Sequence, residues 1–307
     1  MRDIFIQELT SIAEIDSEVV LITGDLGFGV FDEFSQRFPD QFLNVGVAEQ
    51  NLMMVSAGMA FEGKKVFAYS IGNFPTQRCL EQIRNDICYH DLNVTIIGMG
   101  GGFSYGQLGM SHHATEDISI MRALPNMVSI VPSCSSEVKG AMNALKNYKG
   151  PAYLRLDKSK IIDSSKSLGF EIGKANILRN GDSVSLICSG GITEEAVKAA
   201  EELSSDGIEC RIISMHTIKP LDEKAIMLAS KETSGIITIE ENTIIGGLGS
   251  AVAECCLESS YKPGFFCRIG LKDTYSSIVG DQKYLRKYYM MDSNAIKNTV
   301  INQINNS

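Results

Sequence analysis

The sequence has none of the long apolar runs that mark membrane or secreted proteins. No window approaches about 18 consecutive apolar residues, so no membrane-spanning helix is expected. The opening stretch, MRDIFIQELTSIAE, mixes charged and apolar side chains and lacks an apolar signal core. The eight cysteines form no C-x-x-C pair and no regular framework, which argues against disulfides and a zinc site. We therefore expect a cytoplasmic protein.

Positive charge is also scarce. The 307 residues include 28 Lys and Arg against 37 Asp and Glu, a formal net charge of −9. Binding the backbone of a nucleic acid needs clustered cations, so a nucleic-acid partner is not expected. A small phosphorylated substrate is compatible with this charge, because one or two arginines suffice to hold it. With 44% hydrophobic and 21% charged residues, the chain is long enough for two folded domains.

The short motifs of common enzyme families are missing. The sequence contains no G-x-x-x-x-G-K-[ST], no H-E-x-x-H, no G-x-S-x-G and no complete G-x-G-x-x-G after a strand. Two glycine-rich loops, TGDLGFG (23–29) and GMGGGFSYGQLGMSHH (98–113), each follow a predicted strand. The second ends in His112 and His113, two of only four histidines. Since ligands of parallel α/β sheets lie beyond the carboxyl ends of the strands, this loop is the stronger candidate for a binding site.

Strand-like and helical segments alternate along the whole chain. EVVLITGD (18–25) is one of the strands, and after a serine- and lysine-rich stretch (157–176) the alternation restarts with SVSLICS (183–189). Repeated strand–helix units are typical of parallel sheets flanked by helices. We predict an α/β protein of two domains, each a mainly parallel sheet flanked by helices. The predicted boundaries are 1–160 for the first domain, 161–175 for a linker and 176–307 for the second domain.

Three charged residues stand out from their surroundings. Glu49 is set among apolar neighbours in FLNVGVAEQNLMMVSAGMAFEG (42–63), where an acid is costly to ionise and is rarely kept without a use. Arg78 lies in GNFPTQRCLEQIRND (72–86), and Arg155 lies near the end of the strand PAYLRL. The simpler interpretations are an acid at a helix start for Glu49, a solvated helix face for Arg78 and an ion pair within the fold for Arg155.

Six motifs occur in a specific order along the chain. They are GDLG, VGVAEQN, F-x-x-x-R-x-x-E-Q-I-R-N-D and G-x-S-H-H-x-x-x-D-I-x-x-x-R-x-x-P-N, then MHTIKPLD (215–222) and ITIEENTIIGGLGSAVAE (237–254). The first four resemble the pyrimidine-binding domain of transketolases and deoxyxylulose phosphate synthases, and the last two resemble the transketolase C-terminal domain. The resemblance extends from about residue 3 to residue 300. Each motif is weak alone, but the ordered set is specific.

The resemblance implies a thiamin diphosphate enzyme. Glu49 corresponds to the family glutamate that hydrogen-bonds the ring nitrogen of the cofactor's aminopyrimidine, a contact that activates the cofactor for carbon–carbon bond cleavage. Phe74 corresponds to the aromatic residue that stacks on the pyrimidine, and Asp25 and Leu26 correspond to residues that border the cofactor. Glu49 is thereby predicted to be both a catalytic residue and a cofactor ligand.

The same resemblance implies a set of substrate-binding residues. His112 corresponds to the histidine of a family G-x-T-H motif, with Ser111 in place of the threonine. As a second catalytic residue it is expected to bond a substrate oxygen and to assist proton transfer. His113 matches a second histidine of some members. Arg78 and Arg155 match arginines that hold a sugar phosphate, a group that guanidinium forks bind well.

Two departures from the family pattern affect the sugar. Leu108 stands where transketolases have an acidic residue, and the glycines Gly100 to Gly102 replace a histidine near the substrate phosphate. The acceptor end of the pocket is therefore altered. A larger, deoxygenated, branched or nucleotide-linked sugar fits this change.

One domain of the family is missing from these motifs. The family binds the diphosphate through Mg²⁺, using a G-D-G stretch and a later asparagine, whereas the nearby string TGDLG belongs to the pyrimidine side. No metal ligand is therefore assigned to this chain. The resemblance implies a partner, the N-terminal half of a split transketolase, which holds most of the Mg²⁺ site in an α₂β₂ assembly.

We interpret the chain as the C-terminal, β-like subunit of a two-chain thiamin-dependent transketolase. Such an enzyme transfers a two-carbon ketol unit between sugars or sugar phosphates. The alternatives are a deoxyxylulose phosphate synthase-like enzyme and the β subunit of a 2-oxoacid dehydrogenase first component. A fourth hypothesis is a non-catalytic binding protein. The presence of Glu49, Phe74 and His112 argues against it.

Overall fold

The computed structural model describes residues 1–158 and 168–306, so part of the predicted linker, residues 161–167, lies outside the described residues. The strands are β1 (Val19–Thr23), β2 (Phe42–Asn44), β3 (Lys65–Ile71), β4 (Val94–Met99), β5 (Val128–Ile130), β6 (Ala152–Leu156), β7 (Asn176–Arg179), β8 (Val184–Ser189), β9 (Cys210–Ser214), β10 (Thr217–Lys219), β11 (Gly235–Thr243) and β12 (Phe265–Leu271). The helices are α1 (Arg2–Ala13), α2 (Asp32–Arg37), α3 (Glu49–Phe61), α4 (Leu80–Gln82), α5 (Asp117–Ala123), α6 (Ser135–Leu145), α7 (Thr193–Ser205), α8 (Glu223–Glu232), α9 (Leu248–Glu258), α10 (Gln282–Tyr288) and α11 (Ser293–Asn305). Two π-helical segments, Phe74–Arg78 and Ile83–Cys88, flank α4.

The strands form two sheets. The first has the order β10-β5-β6-β4-β3-β1-β2 and is parallel except for β10, which runs antiparallel to β5. The second has the order β12-β11-β8-β9-β7 and is parallel except for β7. This architecture confirms the predicted α/β class with two mainly parallel sheets flanked by helices. One strand was not predicted where it lies, because β10 belongs to the second half of the chain but completes the edge of the first sheet.

Both faces of the first sheet are covered, as an apolar parallel sheet requires. Along β1, successive side chains point to opposite faces, so Val19 and Leu21 pack with Phe5 of α1, whereas Val20 and Ile22 pack with Leu52 of α3. Every residue of β1 is buried. The continuous apolar run in the sequence therefore reflects burial on two sides. In the described part of the chain, no helix is long and apolar enough to cross a membrane.

The parallel strands bring several loops to one edge of the first sheet. Asp25 follows β1, Phe74 follows β3, and the glycine-rich loop that ends in His113 follows β4. Asp157 follows β6, the neighbour of β4. Because these strands run in the same direction, their carboxyl ends meet at the edge where ligands of such sheets bind.

Candidate active site

Glu49 is the first residue of α3 and is almost completely buried, with 2% of its surface exposed. The turn after β1 lies beside it, since a Cβ atom on Gly24 would be 3.8 Å from the Glu49 Cγ atom. Its Oε2 atom accepts a hydrogen bond from Arg78 Nη1 at 2.5 Å. A buried carboxylate is thus present where the sequence predicts one, and a cation already contacts it.

Arg78 lies at the end of the π-helical segment that begins with Phe74. Its side chain is half exposed, and its guanidinium carbon lies 5.0 Å from the centroid of the Phe74 ring. π-Helical turns are rare and often mark functional sites. The sequence pattern indicated an ordinary charged helix here, and the family resemblance assigned Arg78 to a phosphate. In this structure one guanidinium nitrogen of Arg78 is paired with Glu49, and the half-exposed side chain also lines a cleft, so its contact with a phosphate stays a prediction.

His112 packs against the same aromatic ring. The ring centroids of Phe74 and His112 are 5.2 Å apart with an interplanar angle of 68°. Ser111 Oγ lies 3.1 Å from His112 Nδ1, and the Asn73 side-chain amide donates to the Ser111 carbonyl. The structure therefore brings Glu49, Phe74 and His112 together through short contacts, although they come from three separate segments of the sequence.

His113 is buried, with 3% of its surface exposed. Its Nε2 atom lies 3.2 Å from the Gly106 carbonyl, and its ring meets the Phe103 ring edge-on at 5.2 Å. Burial lowers the pKa of His113, so the ring is held neutral near pH 7. Its Nδ1 atom has no hydrogen-bond partner among the described residues. His113 also lines the cleft described next, so this nitrogen is a candidate for a ligand contact.

A cleft of about 470 Å³ lies beside Phe74 and His113, whereas Glu49 and His112 do not line it. Its lining includes Phe74, Arg78, Ser111, His113, Glu116 and Tyr275. Tyr275 and its neighbour Ser276 come from the second half of the chain, and no sequence motif pointed to them. Burial raises the pKa of Glu116, which accepts a hydrogen bond from Gln77 at 3.2 Å. Both halves of the chain therefore contribute to the cleft.

Asp25 and Leu26 form a tight turn after β1. Asp25 has a backbone φ of 59°, and its amide donates to the side chain of Asn44 at 3.0 Å. The Asn44 side chain donates in return to Asp25 Oδ1 at 2.9 Å, and the Leu26 carbonyl accepts from the Thr23 hydroxyl. Neither residue lines the cleft beside Phe74. Their predicted contact with a cofactor stays a prediction.

Arg155 lies in the interior, with 3% of its surface exposed. Its Nη2 atom donates to the carbonyls of Ala114 (3.3 Å) and Glu241 (2.8 Å), and its Nε atom lies 3.4 Å from Asp117 and 3.8 Å from Asp157. These contacts correct the phosphate-binding role predicted for Arg155, because a buried guanidinium held by four groups cannot reach a ligand. The simpler interpretation, an ion pair within the fold, describes this placement.

Lys158 is a cation that the sequence interpretation missed. It follows β6 at the ligand edge of the sheet and lines a second cleft of about 340 Å³ together with Ser104, Tyr105 and Gln282. Its Nζ atom lies 3.8 Å from the centroid of the Tyr105 ring. Burial, and then the charge of Arg2, lower the pKa of Lys158. The position of Lys158 just beyond a strand end was the available signal.

No group of three or more His, Cys, Asp or Glu side chains with the geometry of a metal site occurs among residues 1–158 and 168–306. The ligand groups that the described residues do offer are a buried carboxylate, an aromatic face and ring nitrogens. Such a set suits a flat organic ring with hydrogen-bonding nitrogens.

Comparisons with known proteins give one consistent result. Residues 1–162 match the family described as transketolase, pyrimidine binding domain, and residues 173–296 match transketolase, C-terminal domain. The chain is 37% identical over 308 residues to the transketolase C-terminal section of Methanocaldococcus jannaschii, covering 99% of this chain and 96% of that protein. It is 34% identical to the 6-deoxy-6-sulfo-D-fructose transketolase subunit SqwH of Clostridium sp., across 96% of this chain and 92% of that protein. A solved split gene transketolase, described as an inactive beta4 tetramer, is similar with a TM-score of 0.88 and 32% identity, covering 98% of this chain and 96% of that chain.

Proposed function

Because this chain belongs to the transketolase family, we propose that it is the C-terminal subunit of a two-chain, thiamin diphosphate-dependent transketolase. The assembled enzyme transfers a two-carbon ketol unit from a donor sugar to an acceptor sugar. The observation that carries this proposal is the convergence of Glu49, Phe74 and His112: Arg78 contacts both Glu49 and Phe74, and His112 packs on Phe74.

The described residues fit the aminopyrimidine end of thiamin diphosphate. A ring of this kind needs a carboxylate at its ring nitrogen and an aromatic face to stack on, and Glu49 and Phe74 supply these groups. When bound, the cofactor supplies a carbon nucleophile and an electron sink for cleaving the bond next to a carbonyl. Glu49 would hold a proton at the ring nitrogen, in a site from which water is largely excluded.

The diphosphate and Mg²⁺ are assigned to a partner chain. The family's G-D-G stretch with its later asparagine does not occur in this sequence, and Mg²⁺ requires carboxylate and carbonyl oxygens placed together with phosphates. We propose an N-terminal-half subunit as the partner, in an α₂β₂ assembly. The M. jannaschii relative is named as a C-terminal section and the Clostridium relative as a subunit, which supports a divided enzyme.

On the substrate side, His112 is proposed to bond the donor carbonyl or hydroxyl oxygen and to move a proton there. We assign the phosphate or another anionic end of the substrate to Lys158 in place of Arg155, and we keep Arg78 as a second candidate. Lys158 lies at the carboxyl edge of the sheet and borders an open cleft, and Arg78 lines the cleft beside Phe74, whereas Arg155 is buried between two carboxylates of the fold. The Clostridium relative is named for a sulfo sugar, so the anion can differ within the family.

The test is a calorimetric titration of thiamin diphosphate with Mg²⁺, on this chain alone and then mixed with a candidate N-terminal-half chain. Binding that appears only in the mixture supports the two-chain model, and sugar phosphates are then screened for ketol transfer. Tight Mg²⁺-dependent binding to the single chain contradicts it. Two assays address the alternatives: pyruvate decarboxylation with an artificial electron acceptor for the dehydrogenase component, and condensation of pyruvate with glyceraldehyde 3-phosphate for the synthase.

A further inference from the structure

The loop that carries His112 is bound to the second half of the chain. Within this loop, the Gly102 amide donates to the Ala114 carbonyl at 2.8 Å, and the Ala114 amide donates to the Gly102 carbonyl at 3.0 Å. These two hydrogen bonds hold the ends of the segment 102–114 together. At the next residue, the Thr115 carbonyl accepts a hydrogen bond from the Thr243 amide of β11 at 2.7 Å. The two halves thus meet at the base of the loop.

Glu241 of β11 accepts three hydrogen bonds at this junction between the two halves. Its side chain is buried, and its Oε1 atom accepts hydrogen bonds from the Phe103 amide of the loop at 2.6 Å and from Gln282 Nε2 at 2.8 Å. Its Oε2 atom accepts from Arg286 Nε at 2.5 Å. Three donors, one from the loop and two from α10, converge on one carboxylate. Charge-assisted bonds of this kind are about twice as strong as neutral ones.

The anchored Phe103 is in turn the neighbour of a histidine in the cleft. One part of its ring meets the His113 ring edge-on at 5.2 Å, and its face stacks on Tyr289 at 5.4 Å with an interplanar angle of 15°. Phe103 is fully buried. A shift of the Phe103 backbone therefore moves the packing surface of His113 and, through it, the adjacent His112.

The glycines at the start of the loop allow this close approach. Gly102 has a φ of 58°, and a Cβ atom there would lie 2.5 Å from Glu241 Oε1. A Cβ atom on Gly101 would lie 1.7 Å from Arg155 Nε. Transketolases place a histidine in this region, and the sequence offered no reason for the glycines. The structure supplies one: side chains at these positions would separate the loop from Glu241 and Arg155.

We propose that Glu241 is a positioning residue for the active-site loop, through which the second half of the chain sets the place of His112 and His113. The effect of Glu241 on catalysis rests on the proposed function. Its effect on the conformation of the loop does not. Glu241 acts through the Phe103 amide and is not proposed to touch substrate or cofactor.

The chain offers a matched control in the preceding residue. Glu240 lies on the same strand and is also fully buried, but its carboxylate accepts from the amides of Leu248 and Gly249, both at 2.8 Å, at the start of α9. Replacing either glutamate by glutamine converts one buried carboxyl group of β11 into an amide of the same size. Only the Glu241 substitution removes charge from the group that anchors the loop.

The experiment compares Glu241→Gln with Glu240→Gln in the full chain by hydrogen–deuterium exchange. In Glu241→Gln the side-chain amide opposes Arg286 and weakens the three-way contact, so amides of residues 102–114 should exchange at least about tenfold faster. Glu240→Gln should instead affect the amides at the start of α9. If Glu241→Gln fails to fold, Glu241→Asp serves in its place, because it keeps the charge for Arg286 but shortens the reach toward Phe103.

A second measurement uses the reconstituted two-chain enzyme. Glu241→Gln should lower kcat by about ten- to hundredfold with a much smaller change in KM, because displaced catalytic groups reduce turnover more than binding. Glu240→Gln should leave both close to wild type. Equal loop exchange in the two variants, or unchanged exchange in Glu241→Gln, would overturn the proposal. Absence of ketol transfer in the wild-type complex would instead count against the proposed function, while the exchange result would stand.

Discussion

Replacing Arg155 by methionine distinguishes an interior ion pair from a phosphate-binding arginine. Arg155 lies between Asp117 and Asp157, whose side chains are both buried, and the Tyr153 hydroxyl donates to Asp117 at 2.5 Å. Methionine fills much of the volume but leaves the two carboxyls without their cation. Removing one partner of a buried ion pair lowers the free energy of unfolding by about 3–5 kcal/mol. For a chain of 307 residues, with an entropy of unfolding of about 2.1 cal/mol/K per residue, that corresponds to a fall in Tm of roughly 5–8 °C.

The pH dependence gives this prediction a second signature. Burial raises the pKa of both Asp117 and Asp157 above the ordinary value of 3.8, and Arg155 opposes that rise. Without the arginine the folded state holds protons on these carboxyls to higher pH than the unfolded state does. A carboxyl with a raised pKa favours the folded state at low pH and loses that contribution as the pH rises. The deficit of Arg155→Met should therefore be small near about pH 4 and grow toward about pH 8.

The assay is urea denaturation and thermal melting of the full chain at several pH values. Arg37→Met is the control, because Arg37 is partly exposed and pairs at the surface with Glu14 and with Glu33. Its loss should therefore change the free energy of unfolding by less than about 1 kcal/mol. In the reconstituted enzyme, KM for a phosphorylated donor should stay unchanged in Arg155→Met and rise about tenfold or more in Lys158→Met. An Arg155→Met variant that melts like wild type but shows a raised KM would refute this reasoning.

Three further predictions concern the cleft and the interior. Glu49→Gln should abolish ketol transfer in the reconstituted pair while the melting curve of the chain stays near that of wild type; measurable turnover would contradict the role of Glu49. Arg78→Met should bind an aminopyrimidine fragment several-fold more tightly than wild type in an NMR titration, because it frees Glu49 Oε2; equal or weaker binding would show that Arg78 does not compete for that atom. Burial lowers the pKa of His216, which stacks on Phe170, to about 4. Its folded pKa is below the unfolded value of 6.5, so the contribution of His216 to the free energy of unfolding should fall by about 2 kcal/mol between about pH 7.5 and pH 5, read as the difference between wild type and His216→Gln. His216→Gln should lose less stability over the same range in urea titrations.

The fold class could be predicted from the sequence because its signals are local: alternating strand and helix patterns indicate the α/β class. The cofactor roles of Glu49 and Phe74 were implied by the family resemblance, and the structure adds that both residues lie at the carboxyl edge of the first sheet. The arginines could not be assigned in this way. Arg155 faces the carboxylate of Asp117, 38 residues away along the chain, and Arg78 faces that of Glu49, 29 residues away. A motif names the residue type at a position, but it does not say which carboxylate the fold brings opposite it.

The same limit explains the glycines and the edge strand. From the sequence, the glycines around Gly102 were interpreted as the loss of a substrate-binding histidine. The structure shows that a side chain at Gly102 would collide with Glu241. β10 has three residues, too few for a periodic pattern, and its pairing with β5 is decided by how the two sheets pack.

Strand β10 also determines how the protein can be divided into fragments. Thr217 and Lys219 pair with Ile130 and Ser129 of β5, and the Lys219 ammonium donates to the carbonyl of Arg122. A fragment that ends after β6 would lack this strand and would present the unpaired edge of β5, a template for association with other chains. Proteolytic or recombinant separation of the two halves should therefore yield an aggregating first half. We therefore expect the two sheets to be expressed and folded successfully only as one chain.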